Sequence, residues 1–498
     1  MNVSLEARRA IQARADVLVI GRHAGESRLT GELAAVDERM GGLLGRAMDA
    51  ERFEGKPGQS CHVHANGRLT APRVLVVGMG PARGASAETV RRAAASAARR
   101  ARDLGAGSAS MFLPAQGVAP RARAQATVEG AMLGTYRFEK YLKEKNPRVL
   151  QSVAVLEPDA RAASGAREGV QLGGIWAAAT ATARDLVNEP ANVVNPSYLA
   201  QQAEEIAKAG RVLVKVLDRE ECERLGMGAF VGVAQGSHEP PKFIHLTYAP
   251  RRARRKVVVV GKGITFDSGG LDLKTADGML RMKDDMAGSA VVLGLFQALP
   301  KLKLDVEVHG IIAATENMPS GTAQRPGDIV RAMNGLTIEI GNTDAEGRLT
   351  LADAMAYAVK EIEPDEIIDL ATLTGAIVIA LGQGVTGVFG TQDAMTTRLL
   401  AAAEAAGESM WRMPLHDDYK EGLRSDVADL NNVSSQRGGG SIVAALFMRD
   451  FTGGRPWIHL DIAGTAFSER EWALGPKGGT GSALRTLLAY LSRLGGKR

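Results

Sequence analysis

Short apolar runs and longer stretches of helical spacing alternate along this chain, an order that predicts layered α/β architecture. Residues 257–260 are four consecutive valines, as expected of a strand buried on both faces of a parallel sheet. Residues 16–20 and 73–77 read as further strands, and 335–341 as a strand bounded by glycines. Helical composition and spacing mark 87–104 and 349–358, and the small residues that follow Asp285 open another helix. Residues 160–188 are alanine-rich and helix-compatible until Glu189-Pro190 stops them. The apolar run 373–381 is far shorter than the roughly 20 residues that span a bilayer. It predicts a buried loop and helix instead of a membrane segment.

These elements divide the chain into a small amino-terminal α/β domain (1–160), a linking helix (161–188) and a larger α/β domain (189–498) with a central mixed sheet flanked by helices. A length of 498 residues with 45% hydrophobic content is ample for at least two cores. Charge is uneven: residues 1–160 hold 24 Lys and Arg against 16 Asp and Glu, and the remainder 37 against 40. Such a surplus can mark a nucleic-acid surface, although arginine-rich helices are more often simply solvated, and the same holds for the basic run 251–256. Cys61 and Cys222 stand far apart and offer no disulfide framework, and the first nine residues lack a secretory apolar core. Both features predict a reducing, cytoplasmic setting.

Candidate chemistry concentrates in Asn342-Thr343-Asp344-Ala345-Glu346-Gly347-Arg348-Leu349, between a strand end and a helix start. With an extended backbone, a period of two turns Asp344, Glu346 and Arg348 to one side, where carboxylates can hold a divalent cation and the arginine an anion. A second segment, Gly261-Lys262-Gly263-Ile264-Thr265-Phe266-Asp267-Ser268-Gly269-Gly270, follows the valines. Lys262 and Asp267 would therefore leave a strand at its carboxyl end, the rim at which open α/β sheets bind ligands. Lys274 and Arg281-Met282-Lys283-Asp284-Asp285-Met286-Ala287-Gly288 come just downstream. Carboxylates converging from three stretches repel one another unless a multivalent cation neutralises them.

None of the eight histidines lies in these segments. The expected site is oxygen-rich, suited to Mn²⁺, Mg²⁺ or a carboxylate-held Zn²⁺, and unsuited to copper or an iron-sulfur centre. His62-x-His64 has ligand spacing but no nearby carboxylates, and reads as an ordinary strand or loop pair. Residues 73–84 imitate a dinucleotide fingerprint, but the third glycine falls one place late and Pro81 interrupts the loop. The chain has no G-x-S-x-G elbow and no clustered cysteines.

These motifs resemble the leucyl aminopeptidase (cytosol aminopeptidase) family of two-metal exopeptidases. N-T-D-A-E-G-R-L is that family's signature, and the likeness runs through 261–270, the segment ending in Asp285, and Leu370-Ala371-Thr372-Leu373-Thr374-Gly375-Ala376. It continues through 438–445 and Trp457-Ile458-His459-Leu460-Asp461-Ile462-Ala463-Gly464, and 188–196 resembles the family's entry to its catalytic domain. The resemblance implies that Lys262, Asp267, Asp285 and Glu346 hold one Mn²⁺ or Zn²⁺ and that Asp267, Asp344 and Glu346 hold another, with Asp267 and Glu346 bridging. It implies that Lys274 faces the developing oxyanion and that Arg348 holds a bicarbonate acting as general base. Met282 would line the first side-chain pocket, and Thr372, Leu373 and Gly375 would frame the substrate backbone. A water or hydroxide shared by the metals would attack the peptide carbonyl. The substrate's free α-amine, lying near Asp285, would restrict action to amino termini.

A methionine in the pocket suits leucine-like side chains. The family also implies a homohexamer of two stacked trimers. Two other readings stand beside this one. Some bacterial members of the family bind DNA, so the scaffold could serve as a DNA-binding protein; a different dinuclear hydrolase, such as a phosphoesterase, is disfavoured by the lysine ligand and the arginine.

Overall fold

The computed structural model describes residues 1–210 and 212–495. The chain forms two compact units, one of Met1–Ala178 with Arg470–Lys477 and one of Ala179–Glu469 with the chain from Gly478 onward.

The first unit is built on six strands, β1 (Asn2–Glu6), β2 (Val17–Ala24), β3 (Ser60–His64), β4 (Arg73–Pro81), β5 (Ser108–Phe112) and β6 (Ser152–Leu156), in the order β1-β6-β5-β2-β4-β3. Alternation along β2 and β4 serves both faces. Val17, Val19, Leu75 and Val77 pack into one core with the alanines of helix Ala87–Asp103, while Leu18, Ile20, Val74 and Val76 pack into another. His62 and His64 lie on β3, which pairs antiparallel with β4 at the sheet edge.

The second unit contains β7 (Leu213–Leu217), β8 (Lys242–Tyr248), β9 (Lys256–Asp267), β10 (Glu307–Asn317), β11 (Ile329–Arg331), β12 (Thr337–Glu339), β13 (Glu366–Ala371), β14 (Thr386–Gly390), β15 (Met410–Arg412), β16 (Leu430–Asn431) and β17 (Trp457–Asp461). Eight of them make the expected mixed sheet, ordered β15-β14-β17-β13-β9-β10-β8-β7. The four central strands β17, β13, β9 and β10 run parallel. Their carboxyl ends, at Asp461, Ala371, Asp267 and Asn317, therefore share one rim. A small three-stranded sheet, β11-β12-β16, stands apart from it.

Glycine sets the spacing beneath that rim. A Cβ on Gly261 would stand 2.5 Å from the Gly288 carbonyl oxygen, and one on Gly288 only 2.3 Å from that of Leu370. Helix Ala287–Leu302 can thus lie directly on β9, which brings Asp285 at its approach under the strand end. The alanine-rich stretch forms helix Ala163–Asn188. Among the described residues, no helix is long and apolar enough to cross a membrane.

Three local expectations need correction. β9 does not end after its valines but continues to Asp267, so Lys262 lies within the strand and only Asp267 at its exit. The backbone from Asp344 to Arg348 is not extended: Thr343 and Asp344 form a turn, Glu346 is already in the right-handed helical region (φ −78°, ψ −35°), and helix Gly347–Tyr357 begins at once. Residues 375–381 are helical but not a buried element, because the helix lies over the surface with Ile379 91% exposed.

Candidate active site

Asp267, the last residue of β9, stands at the centre of the rim. Its Oδ1 accepts hydrogen bonds from Gly269 N at 2.9 Å and from Asn317 Nδ2, at the end of β10, at 2.8 Å. Asn317 Nδ2 also donates to Thr343 O at 3.1 Å, tying the strand ends to the 342–346 turn. One oxygen each from Asp267, Asp344 and Glu346 lies within 4.8 Å of the others, the only such grouping among the described residues. Asp285 joins through Lys262, whose Nζ is 2.7 Å from Asp285 Oδ2, 2.8 Å from Glu346 Oε1 and 3.1 Å from the Thr372 carbonyl oxygen that accepts from it. Lys274 Nζ reaches Asp267 Oδ2 at 2.8 Å and also touches Asp344 Oδ1.

Four carboxylates and two ammonium groups thus meet in a largely buried space. Burial pushes the Asp285, Glu346 and Asp344 carboxyls above their ordinary range; for Asp285 and Glu346 the neighbouring Asp267 adds to this while Lys262 opposes it. Burial would strip the proton from Lys262, but Asp285, Glu346 and Asp267 outweigh it and hold the ammonium well above its usual value. Asp285 Oδ2, Asp344 Oδ1 and Glu346 Oε1 are buried, and each faces a lysine ammonium at ion-pair distance.

Buried carboxylate oxygens gathered this closely suit divalent cations, which would bind several at once. A cation here would also reverse the field on Lys262 and free its nitrogen as a further donor. The residues therefore fit a metal centre of oxygen donors plus one amine.

Arg348, on the first turn of helix Gly347–Tyr357, is 9% exposed. Its Nη1 donates to the Asn432 carbonyl at 2.7 Å and its Nε is buried with no partner. Burial pulls this guanidinium down to about 10, with Glu346 and Asp461 opposing. A buried guanidinium with an unused N–H edge beside the cluster has the chemistry to hold an anion.

The loop after β13 closes the site. Thr372 Oγ1 donates to Asp285 Oδ1 at 2.7 Å, and Thr374 Oγ1 donates to Asp461 Oδ2 at 2.7 Å while capping helix Gly375–Leu381. Leu373 N donates to Asp461 Oδ1 at 3.3 Å, and Gly375 is exposed at the helix start. Met282 sits half-buried on the short turn Met282–Asp284 that leads into Asp285. The structure thus brings Lys262, Asp267, Lys274, Asp285, Asp344, Glu346, Arg348 and Thr372 together, with Met282, Leu373 and Gly375 on flanking segments.

Sequence reasoning passed over Asn317, Asp272, Asn432 and the bonding role of Asp461. Asn317 carried one readable signal, a polar residue closing an apolar strand at the ligand-binding rim.

Family models agree with this geometry. One described as the cytosol aminopeptidase family, catalytic domain, matches residues 181–488, and one described as that family's N-terminal domain matches 19–145. The chain belongs to the cytosol aminopeptidase family. A probable cytosol aminopeptidase of a Sulfurihydrogenibium species is 41% identical over 99% of this chain and 98% of its own, and one of Gloeothece citriformis is 43% identical over 96% of both. Among solved structures, the bottromycin maturation enzyme BotP in complex with Mn is 40% identical with a TM-score of 0.85, covering 97% of this chain and 100% of its own. A mutant tomato leucine aminopeptidase is 36% identical with a TM-score of 0.89, covering 99% and 96%. The chain is accordingly a metal-dependent aminopeptidase, a hydrolase of peptides.

Proposed function

We propose that this aminopeptidase releases leucine-like residues from peptide amino termini at the carboxylate cluster, and that the cluster holds two divalent cations, Mn²⁺ or Zn²⁺. The observation that carries the reading is the set of buried carboxylates gathered at the rim of four parallel strands, with oxygens of Asp267, Asp344 and Glu346 within 4.8 Å of one another. In this reading Lys262, Asp267, Asp285 and Glu346 serve one cation and Asp267, Asp344 and Glu346 the other. Bound there, the cations supply Lewis-acid polarisation of the scissile carbonyl and a lowered pKa for the attacking water. Lys274 directs its ammonium at the developing oxyanion. Arg348 keeps its free edge for a bicarbonate, which takes the proton from the attacking water. The substrate's free α-amine, as the neutral amine that a metal can bind, lies near Asp285, and Thr372, Leu373 and Gly375 hold the substrate backbone, with Met282 lining the pocket for its first side chain.

Hydrolysis of leucine-, methionine- and aspartate-p-nitroanilide after chelation, and after readdition of Mn²⁺, Zn²⁺ or Mg²⁺, tests this directly. Metal-restored rates with leucine and methionine ahead of aspartate support it, and a preference for aspartate contradicts the pocket assignment. By likeness to the family, we further propose a homohexamer working in the cytoplasm, for which a monomeric mass in solution is the contrary result. The positive surplus of residues 1–160 is the one feature behind a second, DNA-binding role, and such a surplus is more often simply solvated. Salt-dependent retention of duplex DNA supports that role, and no retention at modest salt removes it.

A further inference from the structure

Asn432 is the best-connected polar side chain near the cluster, and it belongs to none of the motifs. β16 pairs in parallel with β12, matching Glu339 to Asn431. The next residue, Asn432, therefore lands beside the start of the 341–346 turn, where its own N–H donates to the Glu339 carbonyl at 3.0 Å. Its side-chain Oδ1 accepts from Gly341 N at 2.8 Å and Asn342 N at 3.2 Å. Nδ2 donates to Asn342 O at 2.7 Å and Ala345 O at 3.4 Å. Both lone pairs and both amide protons are used, in a residue with no exposed surface. Its main-chain carbonyl then accepts from Arg348 Nη1 at 2.7 Å.

We infer that Asn432 is a positioning residue for Arg348, fixing the guanidinium against the turn that carries Asp344 and Glu346. The inference rests on the proposed function, in which Arg348 holds the proton-accepting anion. The side chain grips the backbone of the turn and the main-chain carbonyl grips the guanidinium, so one residue sets the distance between the carboxylates and the arginine. Fully buried and fully bonded, the amide has one orientation and no alternative partner. The carboxylates have separate supports. Thr343 N donates to Asp272 Oδ2 at 2.7 Å, and Lys262 and Lys274 reach Glu346 and Asp344. Loss of the Asn432 side chain therefore displaces Arg348 more than the carboxylates.

The test is a double-mutant cycle on the full-length protein, with Mn²⁺ binding measured by calorimetry beside the kinetics. In Asn432→Asp the new oxygen faces the carbonyls of Asn342 and Ala345, and in Asn432→Ala the side-chain grip on the turn is lost, so the main-chain carbonyl that holds Arg348 is no longer fixed against it. Either change should lower kcat by about 10- to 100-fold, the scale of a misplacement near 1 Å, with KM within about threefold. In an Arg348→Ala background the same change should alter kcat by less than about threefold, because the group it positions is gone. Mn²⁺ affinity should stay within about threefold of wild type, as expected when the carboxylates keep their own supports. If Asn432→Ala fails to fold, Asn432→Asp, nearly its equal in size to asparagine, carries the measurement.

Equal losses in both backgrounds, no loss at all, or a fall in Mn²⁺ affinity that tracks kcat would overturn the positioning role and leave the enzyme assignment intact. An Arg348→Ala protein of full activity would remove the proposed role of Arg348 and this inference with it. A wild-type protein inactive on every aminoacyl substrate with Mn²⁺ would overturn the functional reading itself.

Discussion

Gly347 exists in this chain to make room for Lys262: a Cβ built on it would stand 2.6 Å from Lys262 Cε and 2.7 Å from Nζ. The need is one of close approach, since Gly347 opens a right-handed helix and is not among the residues with positive φ. Side chains placed at 2.6 Å must shift, and the lysine nitrogen is the atom that moves. If Lys262 serves a cation as proposed, Gly347→Ala should lower Mn²⁺ affinity and reduce kcat by roughly 100-fold, the scale of a displacement by about 1 Å. Thermal stability should change little, because alanine favours the helix by about 1 kcal/mol over glycine. Unchanged Mn²⁺ affinity in calorimetry would contradict the assignment of Lys262.

Asp272 governs a different lysine. Its Oδ2 accepts from Thr343 N at 2.7 Å and Thr343 Oγ1 at 3.1 Å, while Asp272 N donates back to that hydroxyl at 2.8 Å. The loop bearing Lys274 is thereby stapled to the turn bearing Asp344. Asp272→Ala should reduce kcat about 10-fold through misalignment of Lys274, with a smaller effect on KM. Steady-state kinetics reversing that split would refute the staple.

Away from the site, Tyr357, His245, His309 and Glu307 form a chain of hydrogen bonds at 3.1, 2.9 and 2.8 Å. Burial, with His309 and Lys215 adding to it, pushes His245 down to about 4 from an ordinary 6.5, and burial lowers His309 as well. The unfolded chain therefore binds protons on His245 between pH 6.5 and 4 that the folded chain refuses. Stability from this histidine is complete above pH 6.5 and falls as the pH drops toward 4, by on the order of 3 kcal/mol. Urea unfolding at pH 7.5 and pH 5 should show a larger loss in wild type than in His245→Gln. Equal losses in the two proteins would contradict the network.

Much of this arrangement was legible in the sequence, and for stated reasons. The four valines marked β9, and strands separated by helices imply its parallel neighbours, so the rim that gathers the site could be placed in advance, whereas the antiparallel β8 and β14 do not follow from that pattern. The convergence of Asp344, Glu346 and Arg348 was anticipated for the wrong reason. The chain turns at Thr343 and enters a helix at Gly347, and three-dimensional closure replaces the period of two. Asn317, Asp272 and Asn432 escaped because single polar residues acting through hydrogen bonds to distant loops leave no periodic trace. Ile379 misled in the opposite sense, since an apolar run reads as buried whether or not the fold covers it.

The most direct measurement is a manganese anomalous-difference map from crystals grown in excess Mn²⁺. Two peaks per chain are predicted, one among Lys262 Nζ, Asp285, Asp267 and Glu346 and one among Asp267, Asp344 and Glu346. An ordered rim with no peak there, or with manganese only elsewhere, would contradict the account.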